Sequence, residues 1–265
     1  MDTAKIYTLF SSSKGNCTYI KHGRDEFLID CGASAKAIDN SLKSLGSSLG
    51  NIKALLLTHE HYDHVRGLPI ITKYFKIPVY APLNSCDYIA ERIEYGTKLV
   101  DISTGTVIDL FDTAICPIAT PHDSRGSVGF RIRAGQEKIG YFTDIGHLSE
   151  GVLRGLSGCR RVVLESNHDI EMLKNGPYPY LLKQRILGDM GHLSNEMCAQ
   201  LLPHLVKHGT ESIILAHLSE ENNRPETAFQ ASFTSLMSNG YRVNTDDGKG
   251  VRLDVAPVNG IKELK

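Results

Sequence analysis

Short apolar runs separated by polar turns open the chain: Ile6 to Phe10, Cys17 to Ile20 and Phe27 to Ile29, with Ser11 to Asn16 and His22 to Asp25 between them. Runs of this length bounded by Ser, Gly, Asn and Asp predict three antiparallel strands. After Cys31-Gly32 the spacing predicts a helix from near Ser34 to Gly46, and Ala54 to Leu57 is an unbroken apolar run of the kind that forms a buried strand. Further along, Leu68 to Phe75 suits a helix, Val79-Tyr80 a strand and Ser85 to Glu94 a helix. Four strand-like runs follow between Val107 and Phe142. Leu148 to Leu156 is helix-like, Arg161 to Leu164 a buried strand, Ser194 to His208 a helix and Ser212 to Leu215 a strand. The last 40 or so residues read as strand-like. Two sets of strands, each followed by helices, predict an α/β (α+β) chain with two face-to-face mixed sheets and helices outside, a four-layer αββα arrangement. No linker, low-complexity tract or internal repeat stands out. A faint likeness between halves rests on each having a strand that ends in metal-type residues.

With 265 residues and 41% apolar content, the chain is long enough for one large domain or two small ones with a real core. Its net charge of −1 points to no polyanion partner through bulk charge, so nucleic acid stays open. Six cysteines without CxxC pairing predict free buried thiols in a reducing cytoplasm. No apolar run is long enough to predict a membrane span or a leader.

The chemistry is concentrated after Leu57, in Thr58-His59-Glu60-His61-Tyr62-Asp63-His64. A run this polar at the end of a buried strand needs a reason. Imidazole and carboxylate are ligands of zinc and of harder divalent metals, and HxHxDH supplies four of them in six residues. A lone histidine here would read as a satisfied or solvent-facing imidazole. Three with an aspartate at this spacing would repel on protonation and lose solvation without a metal.

Thr58 to His64 resembles the signature of the metallo-β-lactamase superfamily. That resemblance implies further ligands at His122, in Thr120-Pro121-His122, at Asp144, in Phe142-Thr143-Asp144, and at His217, in Leu215-Ala216-His217. It implies that His59, His61 and His122 hold one divalent metal, that Asp63, His64 and His217 hold a second, and that Asp144 bridges them. A hydroxide between the metals would be the nucleophile, with Asp63 a catalytic residue as well as a ligand. The metals would be Zn or Mn, with Fe also admitted by the donor set. Gly191-His192-Leu193-Ser194 is similar to the helix entry of the superfamily nucleases related to tRNA 3′-processing enzymes, which makes His192 a candidate general acid for the leaving group. Imidazole fits that task near neutrality. The plain alternative is that His192 only precedes a helix cap at Ser194 or Asn195.

Phe10 to Asn16, Glu165 to Asp169, Asn175 to Pro179, Gly191 to Asn195 and His217 to Asn223 resemble the YycJ/WalJ-type metallo-hydrolases over nearly the whole chain. The resemblance implies a cytoplasmic phosphodiesterase acting on nucleic acid, DNA before RNA, as a 5′-to-3′ exonuclease. It also implies a functional link to a cell-wall two-component system. Substrate-binding candidates are Lys14, Asn16, Asn167, His168, Ser194 and Asn222. Asn167 to Asp169 could equally cap a helix, Tyr178 and Tyr180 could stack on a base or pack locally, and Lys174, Lys183 and Arg185 could contact phosphate or form a solvated helix face. Asp144 stands where zinc β-lactamases of the best-known class use cysteine, which argues against lactam hydrolysis. Only 72 residues separate Asp144 from His217, too few for a β-CASP insertion, so residues 1–265 are expected to form one domain. The competing reading is a small-molecule hydrolase, a thioesterase resembling glyoxalase II, which would need a dedicated helical domain at the C-terminus.

Overall fold

A computed structural model describes residues 3–245 and 247–265. The first sheet is built from β1 (Lys5–Ser12), β2 (Gly15–His22), β3 (Asp25–Ile29), β4 (Ala54–Leu56), β5 (Val79–Pro82) and β6 (Leu99–Ile102). The second contains β7 (Ile108–Leu110), β8 (Thr113–Ala119), β9 (Val128–Ala134), β10 (Glu137–Phe142), β11 (Arg161–Glu165), β12 (Ser212–Ala216) and β13 (Arg252–Val255). The last strand, β14 (Asn259–Glu263), returns to the first sheet beside β1. The orders are β14-β1-β2-β3-β4-β5-β6 and β13-β12-β11-β10-β9-β8-β7. The helices are α1 (Ala35–Ser44), α2 (Tyr62–Val65), α3 (Leu68–Phe75), α4 (Cys86–Ala90), α5 (Glu150–Leu156), α6 (Ile170–Asn175), α7 (Tyr180–Leu187), α8 (Asn195–Lys207) and α9 (Pro225–Ser238).

Apolar residues at consecutive strand positions explain the layering. In a strand, neighbours face opposite sides, so a strand that is apolar throughout must be covered on both. Phe27 and Ile29, Leu56, Val163 and Ile214 point between the sheets, against Phe130, Ile132 and Tyr141. Their neighbours Leu28, Leu55 and Leu57 point outward against Ile38 and Leu42 of α1 and Leu68 and Ile71 of α3. Val162, Leu164, Ile213 and Leu215 face Val152 and Leu156 of α5, Leu202 of α8 and Leu236 of α9. The order is therefore helix, sheet, sheet, helix, as the periodicity predicts.

The stretch after His217 differs from expectation. It opens with the 14-residue helix α9, started by Pro225 at its first turn, and only then forms two strands. Those strands each join an existing sheet.

The faint likeness between halves becomes a repeat in the pairing. Reading β14-β1-β2-β3-β4-β5-β6 against β7-β8-β9-β10-β11-β12-β13, both sheets have three antiparallel pairings followed by three parallel ones. Matching strands β3 and β10 end in Asp30-Cys31-Gly32 and Asp144-Ile145-Gly146, and both aspartates are left-handed, at φ 60° and 58°. Each glycine follows because the chain runs against another backbone: a Cβ on Gly32 would lie 1.6 Å from the Asp63 carbonyl oxygen, and one on Gly146 would lie 2.1 Å from that of Asp189. Overpacking of this kind typically costs about 1–3 kcal/mol. Gly32→Ala and Gly146→Ala are each expected to lose stability in that range in urea unfolding, with Gly32→Ala also displacing the Asp63 loop.

Candidate metal centre

Among the described residues, the histidine and acidic groups close enough to hold a metal lie at one end of the two sheets, where parallel strands finish. β3 ends at Asp30, β4 leads into Thr58 to His64, β10 into Asp144, β11 finishes at Glu165 and β12 runs into His217. His122 follows β8. Open α/β sheets commonly place their sites at the carboxyl ends of the strands. His61 precedes the single turn α2, which carries Asp63 and His64 back toward β3, where the His64 carbonyl accepts from Cys31 N.

The seven sequence candidates come together. Metal-binding atoms of His59, His61 and His122 lie within 4.8 Å of one another, as do those of Asp63, His64 and His217. Asp144 lies between the sets: its carboxylate is 3.4 Å from His64 Nε2, 3.5 Å from His217 Nε2 and 3.8 Å from His122 Nε2. His59 Nε2, His217 Nε2 and Asp144 Oδ2 are buried without a hydrogen-bond partner, which is costly for polar atoms. Imidazole nitrogens and carboxylate oxygens facing one another at 3.3–3.8 Å, beyond good hydrogen bonds, are a donor set that a divalent metal would satisfy.

Electrostatics sort the imidazoles. Burial, with His64 nearby, holds His59 well below its ordinary range, and burial lowers His122 too, so both stay neutral with a lone pair to give. His217 is also buried, which alone would lower it, but Asp144, Asp63 and Glu165 push it up to about 10. His64 is likewise held up, against its burial, by Asp144, Asp63 and Asp30. The Asp144 carboxyl is held well below its usual range because His217 and His64 outweigh its burial.

A second set of residues orients the first, and the sequence reading assigned two of them no role. Asp30 Oδ2 lies 2.8 Å from His64 Nδ1, and Asp30 also accepts from the backbone and hydroxyl of Thr58. Glu165, fully buried, accepts through Oε1 from His217 Nδ1 at 2.9 Å and from His192 Nδ1 at 2.8 Å, while Oε2 accepts from Ile145 N and Leu193 N. These bonds outweigh burial and hold Glu165 at about 2. Because an ionised carboxylate only accepts, Nδ1 carries the proton in both rings and Nε2 faces the site. His122 Nδ1 donates to Gly191 O. The available signal was a lone acid ending an apolar strand, Phe27-Leu28-Ile29-Asp30 and Val163-Leu164-Glu165, since a buried carboxylate needs a partner. Glu60, inside the motif, turns away and accepts from Ser85 Oγ and Arg125 N, fastening the loop behind His122.

His192 lines the mouth of this cluster, its ring 5.0 Å from that of His122 and 5.3 Å from that of His217, with its side chain 15% exposed. Ser194 is the helix cap, accepting from Met197 N, so the capping and site-lining accounts apply to different residues of one segment. Of the six substrate-binding candidates, only Lys14 presents its side chain to solvent, and it pairs with Glu220 at 2.7 Å. Asn16, Asn167, His168, Ser194 and Asn222 are each 3% exposed or less. Neighbouring chain covers these five; Asn16, Asn167 and Ser194 are engaged in hydrogen bonds, whereas His168 Nδ1 and both side-chain amide atoms of Asn222 are buried without a partner. Asn16 Nδ2 sits 3.3 Å from Asp63 Oδ2 and 3.1 Å from His64 Nε2. Asn167 Nδ2 donates to His217 O. Burial drives His168 down to about 4. Asp169 caps α6. Arg185 is no idle surface cation: it grips Asp123 through two bonds, beside His122. Lys183 donates to Lys174 O, and Tyr180 is exposed at the start of α7.

Comparisons with known proteins agree with this geometry. Residues 25–218 match the family described as the β-lactamase superfamily domain. The chain is 32% identical over 238 residues to exodeoxyribonuclease YycJ of Bacillus anthracis, covering 89% of this chain and 90% of that one. It is 29% identical over 248 residues to exodeoxyribonuclease WalJ of Streptococcus pneumoniae, with 91% of each covered. The crystal structure of the metallo-β-lactamase fold protein YhfI from Bacillus subtilis superposes with a TM-score of 0.73 at 13% identity, over 99% of this chain and all of that one. No helix among the described residues is long and apolar enough to cross a membrane. The chain belongs to the metallo-β-lactamase superfamily and, within it, to the YycJ/WalJ family of metal-dependent hydrolases.

Proposed function

We propose that this protein is a dinuclear metal-dependent phosphodiesterase that degrades DNA from the 5′ end. The observation that carries the reading is the meeting of six histidine and aspartate side chains as two triads, with Asp144 between them and buried unpartnered ligand atoms at their centre. Two relatives named as exodeoxyribonucleases, aligned over about nine-tenths of the chain, support the substrate class. His59, His61 and His122 would hold one metal, Asp63, His64 and His217 the other, and Asp144 both. Bound Zn or Mn would supply Lewis acidity toward a phosphate oxygen and activate water as the nucleophile.

The protein's own groups supply the rest. Asp30 and Glu165 fix His64 and His217 with Nε2 inward, and Asn16 braces Asp63 and His64. His192, oriented through Nδ1 by Glu165, can hold a proton on Nε2 at the mouth and give it to the leaving-group oxygen. Because side chains from both sheets complete the site, residues 1–265 act as one domain. Among the described residues, those after His217 form one helix and two sheet strands, in place of the helical segment that the thioesterase reading calls for.

With manganese the protein is expected to degrade 5′-labelled DNA, and His61→Ala to abolish this; intact DNA across several metals would rule the assignment out. Metal at a hundred times its dissociation constant should stabilise the fold by about 2.7 kcal/mol, read as a rise in melting temperature that His61→Ala diminishes. His192→Ala should lower kcat by about 10²–10⁴-fold while metal content, measured by elemental analysis, stays at the wild-type level. A matching loss of metal would instead make His192 a ligand.

A further inference from the structure

The end of the second sheet opposite the metal centre holds a cleft that the exonuclease reading does not use. β11, β12 and β13 run parallel, with Arg161, Ser212 and Arg252 in register at their starts. The metal centre lies beyond their other ends, about 15 Å away for a five-residue strand at roughly 3.3 Å per residue. In-register positions on parallel neighbours face the same side, so two guanidinium groups flank the small Ser212. Around them lies a cavity of about 690 Å³, within the size of sites for compact ligands.

Its lining carries Arg160, Arg161, Arg242, Lys249, Arg252 and Lys265 against two carboxylates, Glu137 and Glu211. In a chain whose net charge is −1, this is a local concentration of positive charge. The carboxylates are already committed. Glu137 takes both bonds from Arg161, which also donates to the Ala4 and Leu264 carbonyls, and Glu211 pairs with Arg160. Arg242 pairs with Asp247. Among the described residues, Lys249, Arg252 and Lys265 have no carboxylate within ion-pair distance. The loop amides are also engaged: Gly250 N donates to Thr245 Oγ1, Val251 N to Arg242 O and Arg252 N to Glu211 O. The cleft therefore offers charge through the exposed side chains of Lys249, Arg252 and Lys265, with the half-buried ring of Tyr241 on its wall.

We propose that this cleft binds a small molecule carrying two or more phosphates, of the nucleoside diphosphate class, at a site separate from the metal centre. Guanidinium and ammonium groups would pair with the phosphates, and Tyr241 offers a face to a base. A concave site favours a compact ligand over an extended strand.

The test is calorimetric titration of the full, metal-loaded protein with ADP, and with inorganic pyrophosphate to weigh the phosphates alone. Saturable binding is expected, retained in His61→Ala and weakened about tenfold or more in Lys249→Glu/Arg252→Glu. Amide hydrogen exchange of the wild type should show ADP protecting residues 241–252, a readout that stands even if the double variant folds poorly. Absence of saturable binding overturns the proposal. So does unchanged binding in a double variant that melts like the wild type, loss in His61→Ala, protection confined to the metal centre, or displacement of ADP by a DNA oligonucleotide from residues 241–252. DNA degradation by the wild type is indifferent to each outcome, so this proposal and the exonuclease reading fail separately.

Discussion

Crowding several imidazoles and two carboxylates into a buried space is the constraint on which the rest of the structure depends. Like charges repel there and unpaired polar atoms lose water, so the arrangement stands only if each ring is held by its outer nitrogen and the inner atoms share a cation. Asp30, Glu165 and the Gly191 carbonyl do the holding. His59 and His122 stay neutral through burial, while His64 and His217 keep protons because Asp63 and Asp144 sit against them. A divalent metal would take the place of those protons, so binding it would release them. The same carboxylates that raise the imidazoles thus become ligands once the protons leave.

Holding these groups also shapes the backbone. Asp30, Asp144 and His217 are all left-handed at strand ends, a conformation costly for residues with a Cβ and concentrated at functional sites. In each case the turn aims the side chain back across the end of the sheet. The cross-sheet latch of His217 N to Ser11 Oγ, with the bridge between Ser12 and Leu218, ties the end of β12 to the end of β1. The paired Asp-x-Gly turns show one local solution used twice: Asp144 faces the imidazole cluster directly, whereas Asp30 reaches it through His64.

Much of this was legible in the chain. Apolar runs such as Ala54 to Leu57 and Ser212 to Leu215 gave strands and layers, because a strand covered on both faces leaves an unbroken apolar signature. The HxHxDH spacing located the cluster, and resemblance supplied His122, Asp144 and His217. Less legible were features set by three-dimensional contact. Helix α9 lies in a stretch mixing Thr, Phe and Ser, whose weak periodicity gives no helical stripe, and packing on α8 decides it. Asn16, Asn167 and Asn222 were candidate substrate ligands because they stand in the segments that carry the family resemblance. Here the loops are stacked on one another: the Asn16 and Asn167 amides serve as internal struts, while the Asn222 amide is buried without a hydrogen-bond partner. The half repeat showed in the chain only as a faint likeness because it resides in strand pairing and in two short turns.

The shared partner of His192 and His217 makes the site more than a sum of ligands. One carboxylate oxygen, Glu165 Oε1, receives both Nδ1 protons, so the orientation of a metal-side ring and that of the mouth-lining ring depend on a single buried group. Glu165 can serve both because its other oxygen is anchored by the backbone at Ile145 and Leu193, one residue past Asp144 and one past His192. Any displacement of Glu165 would therefore move the His217 and His192 rings together. A position with so many obligations tolerates only an ionised carboxylate. An amide in its place would have to turn a donor toward N–H groups that already donate, leaving buried hydrogens unpaired. Orienting His217 and orienting His192 are in this sense one geometric problem, solved at the end of β11.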